Sequence, residues 1–194
     1  NPNNPIIGNR SFGENKEEVT KHAVALMKGI QNGGVFATGK HFPGHGDTET
    51  DSHHTLPVVN FSEERINEVE LYPYKKMFHL GLASVMVAHL NVPSLEPREN
   101  YPTSISYHVV NDILKEQLKF KGLIFTDALN MKGASNFKKP GDIDFEAFMA
   151  GNDILLFPED VPTAVEKFKQ AYTDSIPKIT DERIEFSVKK ILKY

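Results

Sequence analysis

The feature of this sequence that most constrains its fold is an alternation of short, continuous apolar runs with longer amphipathic segments. The apolar runs, which we interpret as buried strands, cover 35–38, 83–88, 122–126 and 153–157. Apolar residues at helical spacing lie before, between and after these runs. Short buried strands separated by amphipathic helices are typical of a parallel sheet covered by helices. The sequence therefore predicts an α/β fold.

Helix boundaries are indicated by capping residues and by glycine. A first helix is predicted over 15–32, where Gly33 and Gly34 follow as a stop signal. Ser62, Ser106 and Thr180 each precede a helical pattern and can accept hydrogen bonds from its first free N–H groups. Pro73 lies inside the second helical pattern and should break or kink it, because proline lacks the N–H that a helix interior uses.

The number of predicted strands leaves the architecture open. A closed (β/α)8 barrel typically needs eight strands and about 250 residues, whereas this chain has 194 residues and four predicted strands. Four βα units could form a small open sheet or the second half of a barrel. Composition and periodicity do not choose between these two possibilities.

Composition excludes several classes of function. The net charge of −4 argues against a protein that binds nucleic acid through clustered Lys and Arg. No apolar run approaches the roughly 20 residues that a membrane-spanning helix requires. The chain has no cysteine, which excludes disulfides and thiolate catalysis. Since a protein without cysteine is compatible with either redox environment, the compartment is left open.

The loop after the first predicted strand, 39–57, concentrates titratable side chains. Four of the eight histidines lie here, together with Asp47 and Asp51. Loops at the carboxyl ends of parallel strands build the active sites of α/β folds, so the cluster points to function. Its side chains could bind a metal, could cap neighbouring backbone, or could form an acid–base pair. Asp51 and His53 suit the last use, because residues two apart in an extended chain point to the same side.

A second polar position follows the third predicted strand. The run 122–126 is apolar and is followed directly by Asp127, while Lys40 and His41 occupy the matching end of the first strand. Carboxyl ends of parallel strands meet at one edge of the sheet, so these three ionisable residues should lie near each other. Alternatively, Asp127 could simply cap the helix that follows it.

Three blocks of the sequence carry a specific resemblance: IIGNRSFGE, KHFPGHGDTETDSHHTLP and GLIFTDALNMKGA. In their order and spacing, the blocks closely resemble the family 3 glycoside hydrolases, in the NagZ-like branch of β-N-acetylhexosaminidases. The resemblance implies a (β/α)8 TIM-barrel fold in which the four predicted strands are the fifth to the eighth. Residues 1–194 would then form the C-terminal part of the catalytic domain, and the first half of the barrel is expected upstream of Asn1.

The resemblance also implies a role for individual residues. Asp127 matches the catalytic nucleophile of the family. The motif at 51–53 matches the acid/base pair of the branch, with His53 as the proton donor and acceptor and Asp51 as its orienter. His54 is left without a role. Residues that match positions contacting the bound sugar are Arg10, Lys40 and His41.

The activity that follows from the resemblance is a retaining exo-glycosidase. It would release terminal β-linked N-acetylglucosamine from muropeptides or chitin fragments, without a metal and without a cofactor. Three alternatives stay open: transfer of the same sugar to phosphate, a non-catalytic sugar-binding module, and a metal-dependent hydrolase. The metal ligands of that hydrolase would be His41, His45, Asp47 and His53.

Overall fold

A three-stranded parallel sheet forms the centre of the computed structural model, which describes residues 1–48, 56–173 and 179–193. The strands lie in chain order: β1 (Thr38–Phe42), β2 (Ser84–Val87) and β3 (Leu123–Thr126). Ser84 is the register partner of both Thr38 and Leu123. Ile154 adds an isolated parallel bridge beside Phe125. The predicted α/β fold with a parallel sheet is confirmed.

Two predicted strands differ from the observed ones. Pairing with β2 begins only at the Ala37 carbonyl, so β1 starts at Thr38, and Val35 and Phe36 are 64% and 51% exposed. The fourth strand is reduced to the bridge at Ile154. The Leu156 N–H donates to the side-chain hydroxyl of Thr126 instead of to a backbone carbonyl, which ends the ladder. Apolar runs alone could not reveal where pairing begins and ends.

The first two predicted helical segments are present. They comprise α1 (Lys16–Asn32), α2 (Glu63–Arg65), a π-helical turn (Ile66–Glu70) and α3 (Leu71–His79). The side chains of Asn15 and Ser62 accept hydrogen bonds from the first N–H groups of α1 and α2. The expected break at Pro73 is wrong, because α3 runs without interruption from Leu71 to His79. Pro73 lies in the first turn of α3, where a helix tolerates a residue without an N–H.

Helices also follow the second and third strands. They are a π-helix (His108–Gln117), α4 (Lys132–Ser135), α5 (Asp142–Ala150), α6 (Val161–Thr173) and α7 (Asp181–Lys193). The predicted caps are confirmed, because Ser106 and Thr180 accept from the N–H groups of Val109 and Arg183. Among the helices of the described ranges, none combines the length and apolar character that crossing a bilayer demands.

The two faces of the sheet have different surroundings. Val85, Val87 and Ile124 are fully buried in one cluster with apolar residues of α1, α3 and the π-helix. Side chains alternate between the faces of a strand, so Met86 and Phe125 point to the opposite face. These two residues are register partners and both remain partly exposed, as does Ile154 next to them. The second face of the sheet is therefore apolar but incompletely covered.

Candidate active site

Backbone hydrogen bonds continue the strand pairing beyond the carboxyl ends of the strands. The Ala88 N–H donates to the Phe42 carbonyl, and the Asp127 N–H donates to the Val87 carbonyl, each over 2.8 Å. The residues that follow β2 and β3 are thereby aligned with the end of β1. The sheet edge predicted to carry the site does bring His41 and Asp127 together.

Asp127 presents its two carboxylate oxygens to different surroundings. Oδ1 accepts a hydrogen bond of 2.9 Å from the N–H of Ala128. Oδ2 lies 3.9 Å from Nε2 of His41, which is longer than a hydrogen bond. The two side chains are only 13% and 9% exposed. One oxygen is thus fixed by the backbone, and the other faces the imidazole without being bonded to it.

His41 is neutral at physiological pH. Burial is the main cause that lowers its pKa to about 4, with Lys40, His45 and Arg10 acting in the same direction and the Asp127 charge opposing them. Burial penalises the charged form of an imidazole, and here that cost exceeds the attraction of the carboxylate. Asp127 consequently does not face a cationic imidazole.

The other two predicted sugar contacts lie at the same edge. Arg10 ends a short 3-10 helix (Gly8–Arg10), and its Nε and Nη2 both donate to the Ile6 carbonyl, over 3.1 and 2.9 Å. Its charge influences His41, which places the guanidinium near the site. Lys40 lies in β1 beside His41 and is exposed. Both cations are accessible to a polar ligand.

The first residues of the chain are attached to the histidine-rich loop by one buried amide. Nδ2 of Asn4 donates to the His45 carbonyl over 2.7 Å and to the Thr48 hydroxyl over 3.2 Å. Its Oδ1 accepts from the N–H groups of Ile6 and Ile7. Asn4 therefore fixes the segment that leads to Arg10 against the loop, and its side chain is 3% exposed.

The described part of the loop is also held from the opposite side. Arg65 makes a two-pronged ion pair with Glu70, both contacts measuring 2.6 Å, and lies 3.7 Å from Asp47. His45 is buried and its Nδ1 lies 2.8 Å from the Thr48 hydroxyl. These contacts anchor the loop up to residue 48 on both sides.

The predicted acid/base pair lies outside the described residues. Asp51 and His53 fall within 49–55, so their roles stay predictions. Of the ligands considered for a metal, His41 and His45 have ring centroids 5.8 Å apart, and Asp47 is directed towards Arg65. Among the residues that the structure describes, no three His, Asp or Glu side chains are grouped to hold a metal ion.

Two polar residues near the site were missed in the sequence. His89 follows β2 at the same sheet edge as Asp127, and the argument applied to Asp127 could have identified it. Asn4 lies in a proline-rich stretch without helical or strand periodicity, so its contact with a loop more than 40 residues away left no sequence signal.

Comparison with known proteins finds one matching family model and several similar curated proteins. The family model described as "Glycosyl hydrolase family 3 N terminal domain" matches residues 1–194. Beta-hexosaminidase A of Pseudoalteromonas piscicida is 35% identical over 100% of the chain and 35% of its own length. Beta-hexosaminidase of Neisseria meningitidis serogroup C (strain 053442) is 42% identical over 79% of the chain and 42% of its own length.

The fold is similar to that of solved structures of the same family. A glycoside hydrolase family 3 beta-N-acetylglucosaminidase from Paenibacillus sp. str. FPU-7 superposes with a TM-score of 0.93 at 38% identity. The match covers 100% of this chain and 37% of that protein. The chain thus spans between about a third and a half of the length of these relatives.

The low pKa of His41 predicts a pH-dependent stability. In the unfolded chain His41 takes up a proton near pH 6.5, whereas the folded side chain stays neutral down to about pH 4. The unfolded state binds more protons between pH 4 and pH 6.5. The contribution of the neutral His41 to folding stability is therefore fully present above pH 6.5 and is lost as the pH falls to 4. Replacing His41 by Gln should therefore reduce the fall in the free energy of unfolding between pH 7 and pH 4 by up to about 3 kcal/mol.

The measurement is the free energy of unfolding in urea at pH 7 and at pH 4, for the parent and for His41→Gln. His79→Gln, at an exposed histidine, controls for the loss of one imidazole. Equal losses in the parent and in His41→Gln would contradict the assignment of a neutral, buried His41.

Proposed function

Because the chain belongs to glycosyl hydrolase family 3, we propose that it forms the C-terminal part of a catalytic (β/α)8 domain that hydrolyses terminal β-linked N-acetylglucosamine. The proposal is carried by one observation, the largely buried Asp127 at the carboxyl end of β3, with one oxygen bonded to the Ala128 N–H and the other facing His41 without a hydrogen bond to it. The names of the similar proteins, beta-hexosaminidase and beta-N-acetylglucosaminidase, support the choice of sugar.

Asp127 would act as the nucleophile of a double displacement. Its Oδ2 attacks the anomeric carbon while the bond to the leaving-group oxygen breaks, which gives a covalent glycosyl-enzyme. The N–H of Ala128 on Oδ1 stabilises the ionised carboxylate and orients it. Because His41 is neutral, the carboxylate is not drawn into an ion pair that would weaken its attack.

His53 would move the protons, with Asp51 as its orienter. In the first step His53 protonates the oxygen of the leaving group. In the second step it removes a proton from the water that attacks the anomeric carbon, and Asp127 is released. An imidazole is suited to both steps, since its ordinary pKa near 6.5 lies close to neutrality.

The three remaining residues would bind the sugar. Arg10 and Lys40 are exposed donors at the sheet edge, and His41 lies beside the nucleophile. Donors of this kind suit sugar hydroxyls and the carbonyl of an N-acetyl group. Fragments of peptidoglycan or chitin, which carry terminal N-acetylglucosamine, are the substrate class that we propose.

The incompletely covered face of the sheet supports a barrel of which this chain is one part. Helices cover the face with Val85 and Ile124, whereas the face with Met86 and Phe125 remains partly exposed, as in a barrel wall. Large apolar side chains are also exposed on α1, ahead of β1, and on α7, including Leu26, Val35, Phe36, Ile184, Phe186, Val188 and Leu192. We propose that the first half of the barrel, encoded upstream, covers these surfaces.

Removing the nucleophile provides the first test of the activity. Asp127→Asn, in a protein with the complete barrel, should lower kcat/KM for an aryl β-N-acetylglucosaminide by several orders of magnitude, because no covalent intermediate can form. Asp112→Asn, on the surface of the π-helix, is the matched control and should retain parental activity. If Asp127→Asn stayed within about tenfold of the parent, Asp127 would not be the nucleophile.

The acid/base role is tested by varying the leaving group. His53→Ala should lose far more activity on a poor leaving group than on an activated aryl one, because a good leaving group needs little protonation. The neighbouring His54→Ala should affect both substrates alike. A reversed pattern would assign the proton transfer to His54, and equal losses in His53→Ala on both substrates would exclude His53 as the general acid.

Completion of the barrel is tested by adding the upstream half. The 194-residue chain alone should be weakly active and prone to self-association, because it exposes unpaired strand edges and an open sugar site. Addition of the upstream half, fused or as a separate chain, should restore turnover. Sedimentation and specific activity are the measurements. A monomeric chain with activity equal to that of the complete protein would contradict the proposal.

A further inference from the structure

A fully buried histidine, His89, lies behind the candidate nucleophile, and the reaction proposed above gives it no part. Its side chain is 0% exposed. Ring atom Nε2 lies 3.0 Å from the carbonyl oxygen of Ala128, and ring atom Nδ1 lies 2.6 Å from the hydroxyl of Ser104. Both ring nitrogens therefore have a hydrogen-bond partner.

The two partners determine which nitrogen carries the proton. A backbone carbonyl can only accept, so the proton resides on Nε2 of His89. The unprotonated Nδ1 then accepts from the hydroxyl of Ser104. Burial lowers the pKa of His89, although the charge of Asp127 acts in the opposite direction, and the neutral ring fits this arrangement.

Ser104 is itself held in a fixed position. It lies in a 3-10 helix (Thr103–Ile105) whose first residue bonds to the backbone on both sides of His89. The Thr103 hydroxyl donates to the Ala88 carbonyl over 2.7 Å, and the Thr103 N–H donates to the Leu90 carbonyl over 2.9 Å. The donor to Nδ1 is thus fixed to the end of the strand that carries His89.

His89 is connected to the nucleophile through Ala128, besides a contact with the backbone of Asp127 itself. The carbonyl of Ala128 accepts from His89, and the N–H of the same residue donates to Oδ1 of Asp127. We infer that His89 is a positioning residue for the nucleophile. With its ring oriented by Ser104, it holds Ala128 so that one carboxylate oxygen is bonded and Oδ2 is left to attack the sugar. The inference rests on the proposed function.

Filling space does not account for a histidine at this position. An apolar side chain of similar size could occupy the same volume without needing two polar partners, and a buried polar ring is unfavourable unless both nitrogens are bonded. The imidazole differs from such a side chain in its directed N–H group. That group points at the one residue whose N–H orients Asp127.

The experiment compares four variants of the complete protein by their kcat and KM on an activated aryl β-N-acetylglucosaminide. His89→Leu removes the donor, whereas His89→Gln keeps an amide N–H near the position of Nε2. Ser104→Ala removes the group that orients the ring. Ser106→Ala is the matched control, since Ser106 is equally buried in the same segment but bonds to Glu96 and to the N–H of Val109, away from His89.

The expected loss is in turnover and not in binding. His89→Leu should lower kcat by about 100-fold, because a small displacement of a reacting group is costly. His89→Gln should recover to within about tenfold of the parent, and Ser104→Ala should fall about tenfold. The kcat of Ser106→Ala should stay within about threefold of the parent value. Inhibition by free N-acetylglucosamine should be unchanged in all four variants.

Two outcomes would overturn the inference alone. In the first, the parent is active, Asp127→Asn is not, and His89→Leu and Ser104→Ala turn over like the parent. In the second, Ser106→Ala loses as much turnover as Ser104→Ala, which would reduce the network to a structural role. If His89→Leu does not fold, Ser104→Ala against Ser106→Ala decides the question. An inactive parent, or an active Asp127→Asn, would instead overturn the proposed function and the inference with it.

Discussion

The candidate site depends on the parallel alignment of three strand ends. Two backbone hydrogen bonds, from Ala88 to Phe42 and from Asp127 to Val87, extend the pairing past the strands themselves. They bring His41, His89 and Asp127 to one edge although these residues are far apart in the sequence. A shift of one residue in this register would turn Asp127 to the other face of the sheet, because side chains alternate along a strand.

Burial also determines which side chains of the site are charged. It lowers the pKa of both His41 and His89, so the imidazole that faces the Asp127 carboxylate and the one that bonds to the neighbouring Ala128 are both neutral. Neutral rings can still donate directed hydrogen bonds, but they do not compensate the negative charge that the carboxylate needs for attack. The positive charges of Arg10 and Lys40 lie at the accessible side, where a sugar would bind.

Some features of this structure could be predicted from the sequence, and others could not. The parallel sheet, the helix caps at Ser62 and Ser106 and the polar edge with His41 and Asp127 were predictable, because each follows from local pattern and from strand direction. The start of β1 and the single bridge at Ile154 were not predictable, since they depend on which neighbouring backbone groups are available for pairing.

Tertiary contacts account for the other differences. The π turn before Pro73 and the amide of Asn4 depend on hydrogen bonds that no periodic pattern encodes. The connection from Ser104 through His89 and Ala128 to Asp127 likewise joins three separate segments of the chain. Asp51 and His53 were predicted from motif resemblance, and they stay predictions.

The central claim, that Asp127 becomes covalently attached to the sugar, is tested most directly by trapping that intermediate. The complete protein would be incubated with a fluorinated N-acetylglucosamine derivative that forms the adduct faster than water removes it, then digested and analysed by mass spectrometry. The account predicts one added sugar on the peptide that contains Asp127. An adduct on another carboxylate, or turnover of the derivative without any adduct in the parent, would contradict it.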